Sequence, residues 1–138
     1  MKAVPITRIK KELQHLSQEE LVEIVLRVGK YKVENKEFLT YLLFEASDED
    51  GYIDVIKEYI NEQFECINQQ NYYFIKKSVR KILRTIKKYV KFSKKPETEA
   101  ALLIHFCRKL KKMEPSYINN TVLTNMFDRQ LGLAEKTI

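Results

Sequence analysis

The residues whose types and spacing suggest chemistry most directly are ten Lys and Arg between positions 76 and 95, a stretch without an acidic residue. A row of cations along one helix face can meet successive phosphates of a nucleic acid. Aromatic rings at the start of that row can stack on bases. The candidate binding residues are Lys77, Arg80, Arg84, Lys88, Lys91, Tyr72 and Tyr73. Because Lys contacts phosphates and does not read base edges, the pattern predicts non-specific binding.

The other side of the same stretch carries the pattern of a protein core. Its apolar residues recur at helix spacing and fall in an arc of about 80°, opposite a basic arc of about 140°. They are Ile75, Val79, Ile82, Leu83, Ile86 and Val90. The plainest interpretation is a structural helix with a solvated basic face. Three partners remain as alternatives: a nucleic acid, an acidic protein and an anionic membrane.

Charge is distributed in blocks along the chain. The net charge is +6, but residues 34–65 hold ten acidic and two basic residues, and residues 72–95 carry +10. Short loops favour antiparallel neighbouring helices, so the acidic block is expected to lie beside the basic one. The sequence leaves open whether the acids cover the basic face.

Catalytic and metal-binding patterns are missing from the sequence. The two histidines, His15 and His105, belong to no HExxH motif and to no zinc-spaced cluster. A calcium loop starting at Asp48 would place Ile53 where glycine is needed and Tyr59 where glutamate is needed. Three glycines supply neither a phosphate-binding loop nor a nucleophile elbow. We therefore expect no enzyme activity, no catalytic residue, no metal and no cofactor.

The cysteines and the hydropathy of the chain indicate the cellular compartment of the protein. Cys66 and Cys107 have no CxxC partner and occupy apolar helical positions, which is typical of buried thiols in a reducing compartment. The first sixteen residues carry charges throughout, unlike a secretory signal. The longest apolar run, at 100–104, is too short to cross a bilayer. We expect a cytoplasmic protein without a transmembrane segment.

The elements that must position these residues are helices. With 138 residues, three Gly and three Pro, the chain is expected to be a single helical domain spanning residues 1–138. The periodicity predicts an all-α fold, either a helical bundle or a short α-α superhelical array of about seven helices. The Asn-Gln stretch at 68–71 separates helices four and five, although one kinked helix remains an alternative. Pro96 begins the sixth helix, and Gly132 ends the seventh.

The second helix carries two start signals. Ser17 and Glu20 fit a capping box, and the flanking Leu16 and Leu21 fit a hydrophobic staple. This helix ends at Gly29 or runs on to Tyr31. Its predicted inward stripe is Leu21, Ile24, Val25 and Val28. A third helix capped by Asn35 is expected to point Phe38, Leu39, Leu42, Leu43 and Ala46 inward.

The opening segment, Ile9-Lys10-Lys11-Glu12-Leu13 followed by Leu16-Ser17-Gln18-Glu19-Glu20-Leu21, resembles the start of small bacterial helical proteins of unknown function. The resemblance covers the first quarter of the chain. It implies a helical fold and carries over no activity.

Together, these patterns predict a protein-interaction or scaffold module with an unknown protein partner. Non-specific nucleic-acid binding through the basic helix at 76–95 is the alternative. The sequence does not fix the oligomeric state.

Overall fold

The computed structural model describes residues 1–137, which form seven α-helices. The all-α prediction and the number of helices are therefore confirmed. The chain divides into two compact units, one covering Met1–Thr40 and the other beginning at Tyr41. The single-domain assignment stays a prediction.

The first unit contains α1 (Ile6–Leu13), α2 (Gln18–Tyr31) and α3 (Val33–Thr40). The capping box predicted at the start of α2 is confirmed. The Glu20 amide donates to Ser17 Oγ at 3.2 Å, and the Ser17 amide donates to Glu20 Oε1 at 3.0 Å. Two amides that the helix leaves unpaired are thereby satisfied.

Helices α2 and α3 approach each other closely at Gly29, which is buried inside α2. A Cβ at this position would lie 2.7 Å from Leu39 Cδ1. Helix α2 continues beyond Gly29 and ends at Tyr31, which is the second of the two predicted endpoints. The predicted cap of α3 is wrong, because α3 begins at Val33 and the Asn35 Nδ2 donates to the Val28 carbonyl at 2.8 Å.

The second unit is arranged around one central helix. A π-helical turn (Tyr41–Glu45) precedes α4 (Glu49–Glu65), α5 (Tyr72–Ser93), α6 (Pro96–Lys112), a 3-10 turn (Tyr117–Asn119) and α7 (Thr121–Thr137). Helix α6 packs against α4, α5 and α7, and its Leu102, Leu103, Phe106 and Leu110 are completely buried. A broad apolar surface on α6 explains its central position.

Helices α4 and α5 are separate, so the alternative of one kinked helix is excluded. Between them, the Asn71 side chain accepts a hydrogen bond from the Phe74 amide at 3.2 Å and caps α5. An interruption in the apolar pattern combined with a new cap explains why the helix does not continue.

Further positions differ from the expectations, among them Phe38 of α3, which was expected to point inward and is 37% exposed. Leu42 and Leu43 are exposed, because the π turn shifts the helical phase and buries Tyr41 instead. Cys66 is exposed at the end of α4, whereas Cys107 is buried as predicted. Gly132 does not stop α7, which continues to Thr137 and buries Ala134 beyond it.

Candidate functional site

Helix α5 holds its basic residues on a fixed support. Its stripe Ile75, Val79, Ile82, Ile86 and Val90 is buried in the core of the second unit. This burial confirms the predicted inward face and fixes the rotation of the helix about its axis. The basic side is thereby turned away from the core.

The predicted cationic residues share one side of α5. Lys77, Arg80, Arg84 and Lys91 are exposed, and Lys88 is half-buried with Nζ 4.8 Å from the centre of the Tyr89 ring. At about 1.5 Å rise per residue, this row extends about 21 Å along the helix. The arrangement can contact a polyanion over several successive charges.

The two candidate stacking residues have different environments. The Tyr72 hydroxyl donates to the Ser116 carbonyl at 2.8 Å, and its ring packs against the core. Tyr73 is 65% exposed and lies one turn before Lys77. Of the pair, only Tyr73 presents most of its ring to solvent beside the basic row.

The acidic residues of α4 do not bury the basic row. Asp54, Glu58, Glu62 and Glu65 are themselves exposed, as are the cations named above. At Lys87 on α5, partial burial lowers the pKa of the ammonium group. The negative charge of the nearby Glu99 carboxylate acts in the opposite direction and raises this pKa. Both charged faces are therefore open to solvent.

A cluster of polar side chains lies where α4 and α6 begin, and no pattern in the sequence predicted it. The Glu49 carboxylate accepts hydrogen bonds from the Tyr41 hydroxyl at 2.9 Å and from the completely buried Thr98 hydroxyl. Burial and the bond to Glu49 raise the pKa of Tyr41 to about 12. Because two donors already occupy the carboxylate, the cluster acts as a clamp between these elements.

His105 on α6 is partly buried at the edge of the core, and its side chain is hydrogen-bonded to a neighbouring helix. Its Nε2 lies 2.7 Å from Asn61 Oδ1 on α4. Burial is the largest cause that lowers the pKa of His105, followed by the charges of Lys57, Lys109 and Arg108. The environment of the imidazole therefore favours its neutral form over its charged form.

The feature that the sequence missed is the exposure of α2. Five apolar side chains of this helix, each 40–53% exposed, form what we call the α2 apolar surface: Val22, Ile24, Val25, Leu26 and Val28. Three of them belong to the predicted inward stripe, so the expectation that this stripe is core is wrong. Helix α3 packs on α2 near Gly29 and leaves these side chains largely uncovered.

Neither a metal-binding group nor a membrane-spanning helix occurs in the described residues. In residues 1–137, no three or more His, Cys, Asp and Glu side chains form a group that could hold a metal ion. Over the same residues, no helix has both the length and the apolar character needed to span a bilayer.

Comparison with known protein families, curated proteins and solved structures finds no match to this chain.

Proposed function

We propose that this protein is a protein-interaction module that binds its partner through the α2 apolar surface. The observation that supports the proposal is the exposure of Val22, Ile24, Val25, Leu26 and Val28 on one helix. Apolar side chains open to water carry a free-energy cost that a bound protein removes. We also propose a cytoplasmic location, in keeping with cysteines that form no disulfide with each other.

The partner is expected to present a helix. An exposed helix with apolar residues at three- and four-residue spacing is matched by a second helix with the same spacing. Charged residues Glu23 and Arg27 border the apolar surface and keep it soluble when it is unoccupied.

Quantitative co-purification at native expression levels tests the proposal. The double variant Val22→Lys/Leu26→Lys places two charges in the surface, and Thr7→Lys/Gln14→Lys adds the same two charges at exposed polar positions of the first unit as a matched control. We expect the amount of co-purified partner to fall at least tenfold with the first variant and to stay unchanged with the control. A partner set that is the same for the wild type and both variants would exclude the surface.

A second candidate function is non-specific nucleic-acid binding, which the open cationic row on α5 favours. Lys77, Arg80, Arg84 and Lys91 are exposed on a helix without acidic residues. Affinity for a duplex should then fall steeply with salt, by about 0.9 logarithmic units per contacted phosphate for each tenfold rise in salt.

Fluorescence anisotropy with duplex DNA and with single-stranded RNA tests this second candidate. We expect Arg80→Gln/Arg84→Gln/Lys91→Gln to bind at least tenfold more weakly and to show a shallower salt dependence. The control Lys2→Gln/Lys10→Gln/Lys11→Gln removes three exposed charges from the first unit. Equal losses in both triple variants, or no binding at low salt, would rule out the row as a specific contact surface.

A further inference from the structure

We infer that the cationic row of α5 takes a single-stranded nucleic acid, with an unpaired base stacked on the exposed ring of Tyr73. The inference rests on the second candidate function and names the class of nucleic acid that this site binds. It is carried by the position of Tyr73 on the same side of the helix as the exposed cations, and by the contact that holds its ring.

Tyr73 lies in line with the cationic row. The exposed members of the row are Lys77, Arg80, Arg84 and Lys91. At about 100° per residue, these four side chains fall in an arc of about 60°, and Tyr73 falls within that arc. The buried stripe of α5 lies on the other side of the helix. From Tyr73 to Lys91 the line is about 27 Å long, so one extended strand can contact the ring and the cations together.

The ring of Tyr73 is both open and supported. The side chain is 65% exposed, so most of its surface is available to a base. The rings of Tyr73 and Phe74 meet in a T-shaped contact, with centroids 5.3 Å apart and planes at 80°. This contact restricts the ring before a ligand arrives, so less conformational entropy is lost on stacking. Tyr72 cannot serve in this way, because its hydroxyl bonds to Ser116 and its ring packs on the core.

These features match a single strand better than a duplex. A paired base is stacked on both faces inside a duplex, whereas an unpaired base offers a face to an aromatic ring. A duplex is read through base edges, and the side chains that read adenine and cytosine edges are Asn, Gln, Asp and Glu. Helix α5, Tyr72–Ser93, contains none of these four residue types. An aromatic ring in line with a charged track is typical of sequence-tolerant single-strand binding.

An anionic membrane is matched less well by the same helix. A helix that lies on a membrane buries its own apolar face in the lipid. The apolar stripe of α5 is buried in the core of the second unit. Tyr73 and Phe74 are the large apolar side chains that α5 leaves exposed, and both lie at its start. The rest of the row therefore offers charge without a lipid-facing surface.

Fluorescence anisotropy of the full chain with three ligands of equal length, about 12 nucleotides, tests the stacking. They are a single-stranded oligothymidylate, an abasic strand with the same phosphates and no bases, and a duplex. We expect the wild type to bind the oligothymidylate about fivefold or more tightly than the abasic strand. Tyr73→Ala should bind these two strands equally and should bind the duplex like the wild type. Its salt dependence should stay unchanged, because no charge is removed.

Two variants control for the loss of the ring. Tyr73→Phe keeps an aromatic ring and should retain the wild-type preference for the oligothymidylate. Tyr31 is 77% exposed and belongs to the first unit, so Tyr31→Ala makes the same truncation away from α5 and should also retain it.

A tryptophan at position 73 reports the stacking directly. The chain contains no Trp, so Tyr73→Trp introduces a single fluorophore that can be excited selectively. We expect the oligothymidylate to quench its fluorescence, and the abasic strand and the duplex to change it little. Tyr31→Trp should show no quenching with any of the three ligands.

The inference and the function on which it rests fail in different ways. If Tyr73→Ala keeps the preference for bases, or the Tyr73→Trp fluorescence does not respond to the oligothymidylate, the inference is overturned. Nucleic-acid binding then survives if Arg80→Gln/Arg84→Gln/Lys91→Gln still weakens it. If the wild type binds none of the three ligands, both fail. Tighter binding to phosphatidylserine vesicles than to the oligothymidylate would assign the row to a membrane and would also overturn the inference.

Discussion

At the scale of single residues, the structure uses polar side chains to join elements. Glu49 receives hydrogen bonds from Tyr41 and Thr98, and His105 meets Asn61 across α4 and α6. The sequence places His105 outside any metal-binding or catalytic motif, which agrees with a histidine that joins two helices. It could not predict the Glu49 cluster, because Glu49 and Thr98 are 49 positions apart and come together only when α4 packs on α6.

The Thr98 hydroxyl is expected to contribute to stability. Thr98→Val removes the donor and leaves one oxygen of a partly buried carboxylate without its partner, which costs about 1–3 kcal/mol. Urea unfolding should show this loss as a lower midpoint with an unchanged slope. Thr98→Ser keeps the hydroxyl and should cost clearly less. Equal losses in the two variants would mean that the methyl group, and not the hydrogen bond, is what matters.

His105 is expected to make stability depend on pH. Its pKa is lowered from 6.5 in the folded protein, mainly by burial, so the unfolded chain binds the proton more tightly. The stabilising contribution is therefore present above about pH 6.5 and is lost as the pH falls below that value. Urea midpoints measured on both sides of this range should rise with pH in the wild type and rise less in His105→Gln. His15→Gln, at an exposed position, is the control and should leave the rise unchanged.

At the scale of elements, local signals determined helix starts better than helix ends. The Ser17–Glu20 capping box and Pro96 act within one helical turn, and both were identified from sequence. The end of α7 depends on the burial of Ala134 beyond Gly132, which is a tertiary effect. The phase of the chain after α3 depends on a π turn that apolar periodicity does not reveal.

Two of the three helical glycines, Gly29 and Gly132, are expected to respond differently to alanine. Around Gly132, a Cβ meets nothing within 4 Å, so Gly132→Ala should stabilise the protein by up to about 1 kcal/mol through helix propensity. At Gly29 a Cβ would lie 2.7 Å from Leu39 Cδ1, so Gly29→Ala should gain less or lose stability. Thermal unfolding followed by circular dichroism measures both. A larger gain at Gly29 than at Gly132 would contradict the close packing of α2 on α3.

At the scale of the whole molecule, the sequence predicted the helical class and the basic face of α5, because both follow from periodicity alone. It also placed Lys77, Arg80, Arg84 and Lys91 on one side of that helix, where they are exposed. It could not predict that the stripe of α2 is left open. Apolar spacing is the same whether a helix faces its own core or another protein, and only the packed structure distinguishes the two.

The exposed α2 stripe changes the basis of the proposed function. From sequence, an interaction module followed from the absence of catalytic motifs and from the segregated charge. From the structure, it is supported by particular side chains, with Val25 near the middle of the surface and 43% exposed.

Site-specific photo-cross-linking in cells tests the central claim, that α2 is a protein-binding surface, most directly. A photoreactive amino acid replaces Val25 in one version and Gln14, an exposed polar position on the same unit, in the other. We predict a covalent adduct with another protein chain at position 25 and little or none at position 14. If position 25 gives no adduct, or if the two positions give the same adducts in the same yield, α2 is not a binding surface and the account is wrong.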